Sequence, residues 1–120
     1  MSPLGEAGFL LTSSTSINRK EVEWKYSLYN TDLELQEEQK IILSKGMNHA
    51  KTFRTDTKEY TLYKNSAGMF VIAEFDGMTN KLQITEGKFP KKSVITRLRV
   101  LNNRAYISAY VKKAPIVIVI

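Results

Sequence analysis

Ser93-Val-Ile-Thr-Arg-Leu-Arg-Val-Leu101, then Asn102-Asn103, then Arg104-Ala-Tyr-Ile-Ser-Ala-Tyr-Val-Lys-Lys113 is the stretch that decides the fold. Asparagine tolerates the positive φ that a two-residue hairpin turn demands. With Asn102-Asn103 as that turn, Val100 faces Ala105, Leu98 faces Ile107, Thr96 faces Ala109 and Val94 faces Val111. That face is almost wholly apolar. On the other face Leu101 meets Arg104, Arg99 meets Tyr106, Arg97 meets Ser108 and Ile95 meets Tyr110. Side chains alternate with period two, so a one-residue slip would mix the two sets. The register is self-consistent, and it predicts a β-hairpin with one buried and one basic, aromatic face.

The neighbouring segments read the same way. After Lys113, Pro115 opens Ile116-Val117-Ile118-Val119-Ile120, a continuous β-branched run. Such a run suits a strand buried on both faces, or one exchanged with or paired to another subunit. Upstream, Thr55–Lys64 is rich in Thr and Tyr, and Asn65-Ser66-Ala67-Gly68 is turn chemistry. Met69–Phe75 is an apolar strand, Asp76-Gly77 a second turn, and Lys81–Thr85 a strand with Leu82 and Ile84 on one face. Glu86–Lys92, with Gly87 and Pro90, reads as a basic loop. Near the start, Thr12–Ser16 is a loop or an exposed edge strand. Glu21–Leu28 alternates, with Val22, Trp24, Tyr26 and Leu28 pointing one way. Trp24, the only tryptophan, is a core anchor or a stacking surface for a ligand.

One segment breaks the pattern. Thr31 with Glu34 matches a capping box, Asp32, Glu34, Glu37 and Glu38 load the following turns with negative charge, and Gly46 is a C-terminal stop. These signals predict a helix over residues 32–45, although Leu33, Leu35, Ile41, Ile42 and Leu43 do not form a clean stripe. A short strand at Leu33–Gln36 is the alternative. The expected fold is α+β: one domain over residues 1–120, about six to seven antiparallel strands, and one helix.

The net charge of +6 is distributed unevenly. Residues 1–60 carry a net of −1 and residues 61–120 a net of +7, and no acidic residue follows Glu86. Lys88, Lys91, Lys92, Arg97, Arg99, Arg104, Lys112 and Lys113 stand without neutralisation in their own segment. A one-sided field of this kind favours an anionic partner or serves as a solvated face.

Composition excludes several chemistries. Without cysteine there is neither a disulfide framework nor a thiolate site, and His49 alone cannot assemble tetrahedral zinc ligation. A carboxylate cation site at Asp32, Glu34, Glu37 or Glu38 lacks EF-hand spacing and reads more simply as a solvated helix start. Glycine-rich phosphate loops and the G-x-S-x-G elbow are absent. Metal-independent RNA cleavage survives as a minor enzymatic reading. His49 or Glu59 would act as base, and Arg97, Arg99 or a tyrosine would support the phosphate. No metal, cofactor or catalytic residue is assigned. The apolar stretch Gly8–Leu11 is too short for a signal peptide, no glycosylation sequon occurs, and no run reaches the ~20 apolar residues of a spanning helix. A cytoplasmic address without membrane contact is expected.

The expected function is non-enzymatic binding of single-stranded nucleic acid or RNA. Lys88, Lys91, Lys92, Arg97, Arg99, Arg104 and Lys112 would neutralise phosphates, and Tyr106 and Tyr110 would stack bases. The alternative is a protein-interaction module, such as a small inhibitor, adaptor or virus-type assembly subunit. It would bind an acidic protein surface through the same face, or form a homodimer through Ile116–Ile120.

Overall fold

The computed structural model describes residues 2–90, 92–102 and 104–120. Its architecture is three antiparallel meanders stacked in layers. The first sheet takes β1 (Ser2–Pro3), β2 (Phe9–Ser16), β3 (Glu21–Tyr29) and β4 (Leu35–Ser44), in that order. The central sheet takes β5 (Asn48–Arg54), β6 (Lys58–Lys64), β7 (Met69–Asp76) and β8 (Lys81–Lys88). The third takes β9 (Ser93–Leu101), β10 (Arg104–Val111) and β11 (Ala114–Val119), with β10 in the middle. A single 3-10 turn at Gly5–Ala7 is the only helical element among the described residues. The shortest dimension, 18 Å between Cα extremes, fits two sheet-to-sheet spacings of about 10 Å.

The central sheet is apolar on both faces. Along β6 and β7, Tyr60, Leu62, Phe70 and Ile72 point toward the third sheet, where they meet Phe89, Leu98 and Ile107. The intervening Tyr63, Val71, Ala73 and Phe75 point toward the first sheet, onto Leu10, Tyr26, Leu28, Ile41 and Leu43. This is why residues 69–75 read as a mostly apolar run, broken only by Glu74: both sides of the strand are covered. Gly87 lies opposite Phe70. A Cβ there would stand 2.2 Å from Phe70 Cζ, so only glycine lets this ring settle over β8.

The expected α+β class is overturned, because residues 35–44 form strand β4 and not a helix. The local signals were real but belong to a turn. Asn30 Oδ1 accepts bonds from the backbone N–H of Asp32 and of Glu34, each at 2.9 Å, and Leu33 takes a φ of 62° that no right-handed helix allows. Of the acidic residues that resembled a helix start, Asp32 and Glu34 belong to this turn and Glu38 lies beside a lysine across the β3–β4 ladder. Lys25 Nζ reaches Glu38 at 3.4 Å, and Lys40 Nζ lies 3.8 Å from Glu23. Ile41 and Leu43 are buried, while Ile42 points outward, which accounts for the blurred helical stripe. The described residues hold eleven strands, not six or seven.

The hairpin register follows the expectation for five pairs, from Leu101–Arg104 to Arg97–Ser108. A bulge then skips Thr96, so Ala109 pairs with Ile95, Tyr110 with Val94 and Val111 with Ser93. Asn102 has the anticipated positive φ, 51°; Asn103 lies outside the described residues. The last strand also departs from expectation. Strand β11 pairs only with β10, at the sheet's edge, and one of its faces is open. Ile116, Ile118 and Ile120 are half-buried and Val117 is 63 % exposed.

Candidate nucleic-acid interface

Leu98 and Ile107 are buried at the centre of the third sheet, with Ile95, Val100, Ala105, Ile118 and Ile120 packed around them against the central sheet. Cross-strand partners share a face. Everything paired out of step with Leu98–Ile107 therefore points to solvent. Running along the sheet, the open face carries the rows Leu101–Arg104, Arg99–Tyr106–Val119, Arg97–Ser108–Val117 and Val94–Tyr110–Pro115. Arg97, Arg99 and Arg104 are exposed, Tyr110 is 47 % exposed and Tyr106 is half-buried. Tyr106 and Tyr110, four residues apart on one strand, stand about 13 Å apart with Ser108 between them.

The bulge shapes one end of this face. It brings Tyr110 opposite Val94, and Thr96 Oγ1 donates to the Ser108 carbonyl at 3.1 Å. Beyond them Lys112 and Lys113 form the β10–β11 turn, with φ of 48° and 69°, and Lys92 has φ of 61°. Positive φ at both central residues makes this a type I′ turn, where Asn-Gly is the usual occupant. Lys92, Val94, Tyr110, Lys112 and Lys113 line a shallow concavity of about 510 Å³. Three ammonium groups thus surround an aromatic and aliphatic floor. The four ion pairs among the described residues all lie within residues 23–74, so none neutralises this face.

Not every expected residue joins the group. Arg97, Arg99, Arg104, Tyr106 and Tyr110 share the open face, and Lys92 and Lys112 stand at its end. Lys88 does not. Strand β8 alternates, and Gly87 faces the third sheet beneath Phe70, so Lys88 points toward the first sheet. Lys91 lies outside the described residues. The face also holds Leu101, as expected, and four residues that the sequence did not place there: Lys113, Val94, Val117 and Val119. Continuing the period-two alternation through Lys112-Lys113 as a second two-residue turn would have found the last two.

His49 and Glu59, the two bases of the enzymatic alternative, lie on the central sheet. His49 is exposed, its Nε2 lies 2.6 Å from Thr52 Oγ1, and it pairs with Tyr63 at one end of β6. Glu59 pairs with Arg54 at the other end, about 13 Å along the ladder, where Arg54 Nε holds it at 3.4 Å. Glu59 is only 4 % exposed. Together with Thr61 it lines a buried polar seam beneath Tyr26 and Tyr63, whose hydroxyls hydrogen-bond to each other. Burial foremost, then each other's proximity and that of Glu59, pushes the Tyr63 hydroxyl far above the ordinary phenol range; Tyr26 is also raised. Both are protonated structural groups, not bases. Trp24 packs on Tyr63 with ring centroids 4.7 Å apart, as a wall of this core. Among the described residues no group of three His, Asp or Glu side chains is placed to hold a metal ion, and no helix is long and apolar enough to cross a membrane.

Compared with known proteins, the chain matches no family model, no curated protein and no solved structure.

Proposed function

We propose that the open face of the third sheet binds single-stranded nucleic acid, RNA foremost, and that the protein acts by binding rather than by catalysis. The observation that carries this reading is the placement of Arg97, Arg99 and Arg104 beside Tyr106 and Tyr110 on one solvent-facing sheet, with no acidic residue on its three strands. Guanidinium groups neutralise phosphates, and tyrosine rings accept bases of any sequence by stacking. The two rings stand too far apart for adjacent bases, so a strand would span Arg97 and Ser108 between two stacked positions. At the concave end, Lys92, Lys112 and Lys113 suit a phosphate whose base rests on Tyr110.

Fluorescence anisotropy with a labelled oligouridine at low salt, repeated with rising salt, tests this reading. Binding that weakens steeply as counterions compete supports it. Absence of binding at low salt sinks it.

A second reading rests on a different observation. Val94, Leu101, Val117 and Val119 are exposed among the arginines, and phosphate recognition has no use for them. A mixed aliphatic and basic surface also fits an acidic protein partner. An acidic partner would compete with the oligonucleotide for the same arginines.

A further inference from the structure

Strand β11 ends the third sheet, and its hydrogen-bond phase decides which backbone groups remain free. Ala105 and Ile120 exchange two backbone bonds: Ile120 N–H to the Ala105 carbonyl at 2.9 Å and Ala105 N–H to the Ile120 carbonyl at 3.4 Å. Bonded and non-bonded pairs alternate along an antiparallel ladder. Carried through the register, Ile118 and Ile116 also bond inward to β10, opposite Ile107 and Ala109. Val117, Val119 and Pro115 therefore turn their backbone groups to the outer edge. Pro115 has no N–H, and its position on this phase means that β10 loses no bond to it. The free edge offers the N–H groups of Val117 and Val119 and the carbonyls of Pro115, Val117 and Val119.

The geometry points to a second copy of this chain as the occupant of that edge, with β11 running antiparallel to its counterpart across a two-fold axis. Ile118 would face its own symmetry mate, and each Val117 would pair with the partner's Val119. In this register all four outward groups of each valine pair are satisfied, giving four inter-chain bonds. Pro115 lies outside the bonded region. The match is with itself: an isologous contact needs the same edge twice, and Val117 and Val119 provide it.

Three further features support this occupant. Residues 114–120 carry no charge, so the edge lacks the lysine or inward charge that ordinarily blocks edge pairing. Val117 and Val119 are 63 % and 49 % exposed, and in the joined sheet they cover one another as β-branched cross-strand pairs. Charge does not oppose the union. The arginines of β9 would stand five strand spacings from those of the partner's β9, about 24 Å, well beyond a Debye length of about 8 Å. The product is one continuous six-stranded sheet with both basic faces on the same side.

Sedimentation velocity across a concentration series tests the proposal. The wild type should move from monomer to twice the monomer mass as concentration rises, with little dependence on salt. Val117→Pro removes an outward N–H that β10 does not use, and Val119→Lys puts a charge on an exposed edge position. Both should stay monomeric at every concentration with unchanged far-ultraviolet circular dichroism. If Val117→Pro fails to fold, Val119→Lys decides. Amide exchange at Val117 and Val119 should slow with wild-type concentration. A wild type that stays monomeric, or a dimer that Val119→Lys leaves intact, would overturn the proposal. So would protection of these two amides only on addition of an extended valine-rich peptide, which would assign the edge to a foreign strand. Oligonucleotide binding by the wild type, measured at concentrations low enough to keep it monomeric, keeps this result separate from the nucleic-acid reading.

Discussion

Thr96 Oγ1 donates to the Ser108 carbonyl at 3.1 Å, and this bond marks the point where strand β9 carries one residue more than β10 opposes. On either side of the bulge the two strands are in regular register. Deleting Thr96 should therefore leave Ile95 opposite Ala109 and Arg97 opposite Ser108 in an unbroken ladder. The expected result is a folded protein with native amide chemical shifts away from residues 94–97. Deleting Ser108 instead should flip Ala109 and Tyr110 to the wrong faces and unfold the sheet. A deletion of Thr96 that unfolds the protein would contradict this register.

The Tyr26 and Tyr63 hydroxyls are buried partners. Removing one leaves the other without its mate, which costs about 1–3 kcal/mol. Tyr26→Phe and Tyr63→Phe should each destabilise by that order. The double variant should lose less than the sum, because no orphaned hydroxyl opposite a phenylalanine remains. Urea unfolding of the four proteins in a double-mutant cycle measures the coupling.

Alkali should unfold this protein through its tyrosines. Burial, then a hydrogen bond and negative charge from Glu74, raises Tyr60 from its ordinary 10.0 to about 12, and Tyr26 and Tyr63 are raised as well. Each folded-state value lies above the unfolded one, so in this range the folded chain holds more protons than the unfolded chain. The stabilisation is complete below pH 10 and declines as pH climbs from 10 toward 12. Chemical denaturation midpoints should fall over that interval, and Tyr60→Phe should lessen the slope. A midpoint flat up to pH 12 would contradict the burial of these phenols.

The proposed interface separates lysines by face. Arg97→Ala and Arg99→Ala should each weaken oligonucleotide binding and reduce the salt slope by about 1. Tyr106→Ala and Tyr110→Ala should each cost about 1–3 kcal/mol with the slope unchanged. Lys112→Ala should behave like the arginine variants. Lys88→Ala, on a side chain that points toward the first sheet, should leave both affinity and slope near wild type. If Lys88 matters as much as Arg97, binding tracks net charge alone and the sheet face is not the site.

Local sequence determined much of this molecule. The alternation in residues 93–111 and the asparagine turn specified a hairpin and sorted Arg97, Arg99, Tyr106 and Tyr110 away from Leu98 and Ile107, because period two is a property of the extended chain itself. The absence of acids after Glu86 told where positive charge would accumulate. Tertiary structure alone decided the rest. Residues 30–34 carry a capping pattern that helix and Asx turn satisfy equally well. What makes 35–44 a strand is the β3 edge waiting beside it and the central sheet that buries Ile41 and Leu43. The bulge at Thr96, the edge position of Ile116–Ile120 and the turning of Lys88 away from the basic face depend on which sheet lies above and which below. Those are long-range relationships, and no window of neighbouring residues contains them.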